Sequence, residues 1–161
     1  MNKRVMFSVI LILAVVLAGC GVKQEQKEMY NSNQAIAGSG DSYSYGNRSG
    51  EVTAESADIE FTKFYGSDTI WTIEAEQDNK VNIEYQQRLK DGKFKIVLIT
   101  PDGDVQVVAE NSTEGETELI LPKGKNVVKF VGRGGDGTVH AGLTSSGDLP
   151  VTVVNAGGMV E

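Results

Sequence analysis

The sequence predicts an all-β fold: a small antiparallel β-sandwich or jelly roll of about eight strands, preceded by a signal peptide and a flexible linker. Three observations carry the expectation. From about Ala57 the apolar residues recur with period two, as in Trp71, Ile73 and Ala75 against Thr72 and Glu74. Short apolar runs are separated by turn signals such as Pro101-Asp102-Gly103-Asp104 and Pro122-Lys123-Gly124. The first twenty residues have the composition of an export signal rather than of a folded segment.

The start of the chain is bipartite. Lys3 and Arg4 give it a positive end, and Val5 to Ala18 are apolar except for Ser8. Fourteen such residues make a helix of about 21 Å, short of the ~30 Å hydrocarbon core of a bilayer. The stretch therefore reads as a cleavable signal, residues 1–19. It ends in Leu17-Ala18-Gly19-Cys20, which resembles the lipobox of bacterial lipoproteins. The resemblance implies a diacylglycerol thioether on Cys20, cleavage after Gly19, and a mature chain held to the extracytoplasmic face of the cell membrane by acyl chains such as palmitate. Small residues before the cut suit a protease cleft, and a thiol suits thioether formation. Cys20 is the only cysteine, so no internal disulfide can form. Two acyl chains suffice for stable anchoring where one is marginal.

Residues 1–19 hold two bases and no acids, so their removal takes the formal charge from −7 to −9. An acidic chain is a poor partner for nucleic acid or anionic head groups, and acidity by itself serves solubility. Residues 20–56 read as the lipidated cysteine and a disordered tether. They carry Gln24-Glu25-Gln26-Lys27-Glu28 and the stretch Gly38 to Gly46, with few aliphatic side chains to offset ordering entropy. A flexible coil of that length spans roughly 30–36 Å. Tyr43 and Tyr45 within it read as solvated, with a sugar-stacking pair as the functional alternative.

Residues 57–144 form the predicted sandwich. Candidate strands centre on Ile59–Phe61, Trp71–Ala75, Val81–Tyr85, Phe94–Ile99, Val105–Glu110, Thr117–Leu121, Val127–Val131 and Thr138–Leu143. Phe94 to Ile99 is apolar on both faces near its end and so belongs in the centre of a sheet. Lys90-Asp91-Gly92 and Gly134-Gly135-Asp136-Gly137 read as turns between strands. Residues 145–161 form a tail, with an extra strand at Leu149–Val154 and a frayed end around Met159.

The strand and turn spacing from Asp68 to Leu143 resembles the pre-peptidase C-terminal-type β-sandwich of secreted bacterial peptidases. Trp71 to Ile73, Val81 to Ile83, Leu98 to Gly103, Leu121 to Gly124, Phe130 to Gly132 and Gly137 to Leu143 carry the resemblance. It implies a non-catalytic binding or accessory module. That family's acidic cluster is replaced by Lys93-Phe94-Lys95, so a family metal role does not transfer.

Few residues point to chemistry. Gly132-Arg133-Gly134-Gly135-Asp136-Gly137 matches a dinucleotide fingerprint in letters, but Thr138 to Ala141 reads as a strand where a phosphate-binding helix is required. It reads as a glycine-rich hairpin turn, with no nucleotide. His140 is the only histidine, so it forms no multi-histidine metal site, and no Gly-x-Ser-x-Gly elbow accompanies it. It reads as a solvated residue on the polar face. A sugar-cleaving carboxylate pair needs two acids about 5–9.5 Å apart in a cleft, whereas the acids here fall in turns or on wet faces. Asp102, Asp104 and Asp136 sit in two glycine-rich turns that could offer calcium oxygen ligands, but turn preference explains them. Trp71 shares a face with Ile73 and Ala75 and reads as core rather than as a sugar platform. Asn111-Ser112-Thr113 has the form of a glycosylation sequon, idle in a bacterial context. The expected function is a non-enzymatic envelope lipoprotein that uses no cofactor and binds a wall polysaccharide or an envelope protein. A carboxylate-pair enzyme and a structural spacer are the alternatives.

Overall fold

A computed structural model describes residues 21–145 and 149–154; the signal segment, Cys20 and the end around Met159 lie outside the described residues. Two short helices come first, α1 (Gln24–Met29) and α2 (Asn33–Ala37). Eight strands follow: β1 (Ser42–Ser44), β2 (Asn47–Val52), β3 (Ser56–Ala75), β4 (Asn79–Ile99), β5 (Val105–Glu110), β6 (Thr113–Leu121), β7 (Gly124–Ser145) and β8 (Val151–Val153). All pairings are antiparallel.

The architecture rests on β3, β7 and β4, each 20 to 22 residues long, which run side by side through both halves of the sandwich. Strands β2 and β6 flank the half that contains Ser56–Phe61 and Val81–Leu89. Strands β1, β8 and β5 flank the half that contains Tyr65–Ala75 and Lys95–Ile99. Ile59, Ile83, Val139 and Leu119 of the first half share one core with Trp71, Ile96, Leu98 and Phe130 of the second. The long strands therefore fold the sheet onto itself around a single apolar layer.

The sequence pattern predicts eight separate strands between residues 57 and 144, whereas five are present there because three are double length. The two turn signals that seemed to divide them mark the fold line instead. Pairing of β3 with β7 shifts register between Phe61 and Tyr65, and pairing of β4 with β7 shifts between Leu89 and Lys93. Such bulges bend a strand without ending it. Gly92 has φ +72°, and a Cβ there would lie 2.1 Å from the Gly134 carbonyl oxygen. Gly134-Gly135-Asp136-Gly137 is thus the bend inside β7, not a hairpin. Asp136 Oδ1 accepts the Lys63 N–H at 2.5 Å, and Lys63 itself has φ +48°.

The second departure concerns residues 24–52, expected as part of a disordered tether. Met29, Tyr30 and Ile36 are buried against Val97, Ile99 and Val131, on the outer face of the second half. This explains why Phe94 to Ile99 is apolar on both faces: one side meets the core, and the other is covered by α1 and α2. After the helices, β1 joins the edge of the second half and β2 the edge of the first. The segment from Lys23 onward is part of the folded domain, and the entropy of ordering it is offset by the apolar surface it covers.

Candidate functional site

A cluster of aromatic and charged groups lies where the N-terminal segment crosses from one half of the sandwich to the other. Lys129 projects from β7 toward that segment and is almost fully buried. Its Nζ donates to the Gly40 carbonyl at 3.1 Å and pairs with Asp41 Oδ1 at 3.3 Å. The same Asp41 oxygen accepts the Thr69 hydroxyl at 2.7 Å. Asp68, fully buried on β3, accepts the Tyr45 hydroxyl at 2.8 Å and lies 3.6 Å from Arg48 Nε. Buried charges persist only when paired and hydrogen-bonded, and each of these is.

Tyr45 stacks on Phe64 with ring centroids 4.3 Å apart. Burial, then the Asp68 charge and hydrogen bond, push its hydroxyl well above the usual phenol range. Tyr43 meets Tyr45 edge to face at 5.5 Å and is 39% exposed. Burial, followed by the charges of Asp68 and Asp41, raises its pKa as well. The two tyrosines expected as solvated are therefore unequal: Tyr45 is a packed strut, and Tyr43 is the partly open ring it supports. The alternating Tyr-x-Tyr spacing was visible in the sequence, but the sheet edge receiving it was not.

A second polar cluster faces the helices. The Tyr30 hydroxyl donates to Glu110 Oε1 at 2.6 Å, and Lys95 Nζ sits 4.6 Å from the Tyr30 ring centroid. Burial lowers the Lys95 pKa, opposed by the Glu110 charge. This is a cation–π and hydrogen-bond clasp for α1, made by residues with no motif in the sequence.

His140 lies on the outer face of the first half, as the alternation predicted, but it is bracketed rather than simply solvated. Its Nδ1 is 2.6 Å from Asp58 Oδ1, and its Nε2 is 3.6 Å from Glu84 Oε1. The hydrogen bond to Asp58 raises its pKa above the ordinary imidazole value, against partial desolvation. The bracket stands on an open sheet surface, where water screens it. Gln87, one register step away toward the interior, is fully buried, and its amide has no hydrogen-bond partner among the described residues.

The remaining expected residues fall into place individually. Trp71 is completely buried, and its Nε1–H donates to the Thr53 carbonyl at 2.7 Å, so it is core. Asp104 N–H donates to the Thr100 hydroxyl within its turn, while Asp136 serves the bend. Among the described residues, no group of three or more His, Cys, Asp or Glu side chains is arranged to hold a metal ion. Asn111 has φ +58° in the β5–β6 turn, where Ser112 Oγ accepts the Leu89 N–H at 2.9 Å. The extra strand expected at Leu149–Val154 is present as β8, paired to Trp71–Ile73.

No protein-family profile matches the chain, and no curated protein does. Several solved structures are similar at low identity. An exo-β-1,3-galactanase from Phanerochaete chrysosporium, solved with galactose, is 11% identical over 66% of this chain and 30% of its own length, with a TM-score of 0.38. A family two carbohydrate esterase from Cellvibrio japonicus is 12% identical over 68% of this chain and 34% of its own, with a TM-score of 0.37. This chain thus spans about a third of the length of those two proteins. The CBM22-1 xylan-binding domain of Xyn10C from Paenibacillus barcinonensis is 9% identical over 71% of this chain and 87% of its own, with a TM-score of 0.32.

Proposed function

We propose that the chain is a lipoprotein anchored through Cys20 on the extracytoplasmic face of the cell membrane, and that its β-sandwich is a non-catalytic binding module for a wall polysaccharide. The anchor rests on the Leu17-Ala18-Gly19-Cys20 motif behind a charged and apolar leader. The observation that carries the ligand class is Tyr43. Its ring is partly open and held edge-on by Tyr45. Sugar rings stack their C–H faces on aromatic rings. A rigid aromatic with few rotatable bonds loses little entropy on binding.

Co-sedimentation with purified envelope polysaccharide tests this reading. Tyr43→Ala should weaken binding at least tenfold while the melting temperature stays near that of the parent, because the ring's support belongs to Tyr45. Undiminished polysaccharide binding by Tyr43→Ala, or none by the parent, would remove the sugar reading. Recovery of a specific envelope protein after crosslinking in intact cells would then favour a protein ligand.

A further inference from the structure

We infer that the face of the sandwich bearing α1 and α2 lies directly against the bilayer, with the opposite sheet face directed away from it. The inference rests on the proposed lipid at Cys20 and on where α1 starts. Helix α1 starts at Gln24, and its N-cap residue is Lys23. Only Gly21 and Val22 separate that cap from Cys20. At about 3.3–3.6 Å per residue, the three steps from Cys20 to Lys23 reach at most about 11 Å. A lipid on Cys20 therefore holds the start of α1 about one helix diameter from the head groups, rather than on a stalk tens of ångströms long.

The leash leaves α1 through the fold, and the fold dictates what faces the membrane. Met29 and Tyr30 pin α1 to Val131 and its neighbours, and the Tyr30–Glu110 bond locks the end of the helix to β5. The helices cannot swing free without exposing that apolar layer. The far side of the first half is separated from them by the helix layer, about 10 Å thick, and by the sheet-to-sheet spacing of about 10 Å. On that far side seven exposed acids, among them Glu51, Asp58, Glu84 and Glu116, outnumber Lys80, Arg88 and Lys90, which pair with three of the seven, so an anionic surface repels the face. The near side presents Lys23, Lys27, Lys93 and Arg133 as exposed bases, twice the number of the exposed acids Glu25 and Glu28 on α1. The short leash imposes contact, and charge opposes the inverted pose.

The test uses full-length protein purified from bacterial membranes and reconstituted into vesicles that carry a short-range fluorescence quencher on lipid head groups. Gln34→Cys, on α2, and Glu116→Cys, on β6, supply separate exposed labelling positions in two variants, each checked for an unchanged melting temperature. The dye at position 34 should be quenched severalfold more than the dye at 116. Inserting twenty Gly/Ser residues after Val22, a coil spanning roughly 22–27 Å, should abolish the difference. Equal quenching at both positions without the insertion, in vesicle-bound protein, would overturn the seating while leaving the anchor intact. Protein that fails to bind vesicles, or that carries no lipid mass on Cys20, would overturn the anchor and the seating with it.

Discussion

Substitution of Ile36 by alanine bears most directly on the ordered N-terminal segment. Ile36 is completely buried in α2, within the cluster of Met29, Tyr30, Val97, Ile99 and Val131. Truncation removes three methyl or methylene carbons at about 0.8 kcal/mol each and leaves a cavity that short helices close only in part. The combined cost is about 2–4 kcal/mol. Helix propensity offsets only a few tenths, since alanine is the better helix former. The total stability of a domain this size is about 5–15 kcal/mol. Urea denaturation followed by the fluorescence of Trp71 would report the loss as a lower midpoint at an unchanged slope. If residues 20–56 were a tether, the substitution would be silent. A change below about 0.5 kcal/mol would therefore refute the docking of α2.

Other consequences can be checked on the same protein. Trp71→Ala should cost about 3–5 kcal/mol, since a fully buried indole and its bond to Thr53 are lost; a melting temperature near that of the parent would place the ring at the surface. Gln87→Met should raise stability by about 1 kcal/mol, because an apolar side chain of similar volume removes the desolvation penalty of a buried amide with no partner among the described residues; a loss of stability would contradict this. The raised pKa of His140 means that its contribution is fully present below the unfolded value of 6.5 and is lost as pH rises through the folded value. His140→Gln should therefore lower the melting temperature more at pH 5.5 than at pH 8.5, and a uniform difference across that range would discount the Asp58 pair. The melting temperature should be the same in millimolar calcium and in chelator; a rise of several degrees in calcium, abolished by Asp102→Asn with Asp136→Asn, would reveal a calcium site.

The parts of this fold that were legible in the sequence are those in which one side chain reports one environment. Ile59, Trp71, Ile73 and Ile83 alternate with polar neighbours and face the core. The two-sided run Phe94–Ile99, expected as a central strand, lies between β7 and β5 and is covered on both faces. Its cover was not legible, because α1 and α2 have six and five residues, too few for an apolar period to repeat. Met29, Tyr30 and Ile36 consequently look like isolated apolar residues in a polar stretch. The bend at Gly92 and Gly134 misleads for a different reason. Glycine and aspartate serve a hairpin turn and a bulge equally well, and only the pairing partners on β3 and β4 distinguish the two. The Tyr43 site depends on Arg48, Asp68 and Lys129 arriving from three strands, a placement that local spacing does not encode.

The most direct measurement of the central proposal is metabolic labelling of growing bacteria with a clickable palmitate analogue, followed by mass spectrometry of the purified chain. Wild-type protein should carry the label, be cleaved after Gly19 and bear a diacylglyceryl mass on Cys20. Cys20→Ser should yield unlabelled, uncleaved precursor. A Cys20→Ser protein that is processed normally and still sediments with the membrane would rule out the anchor.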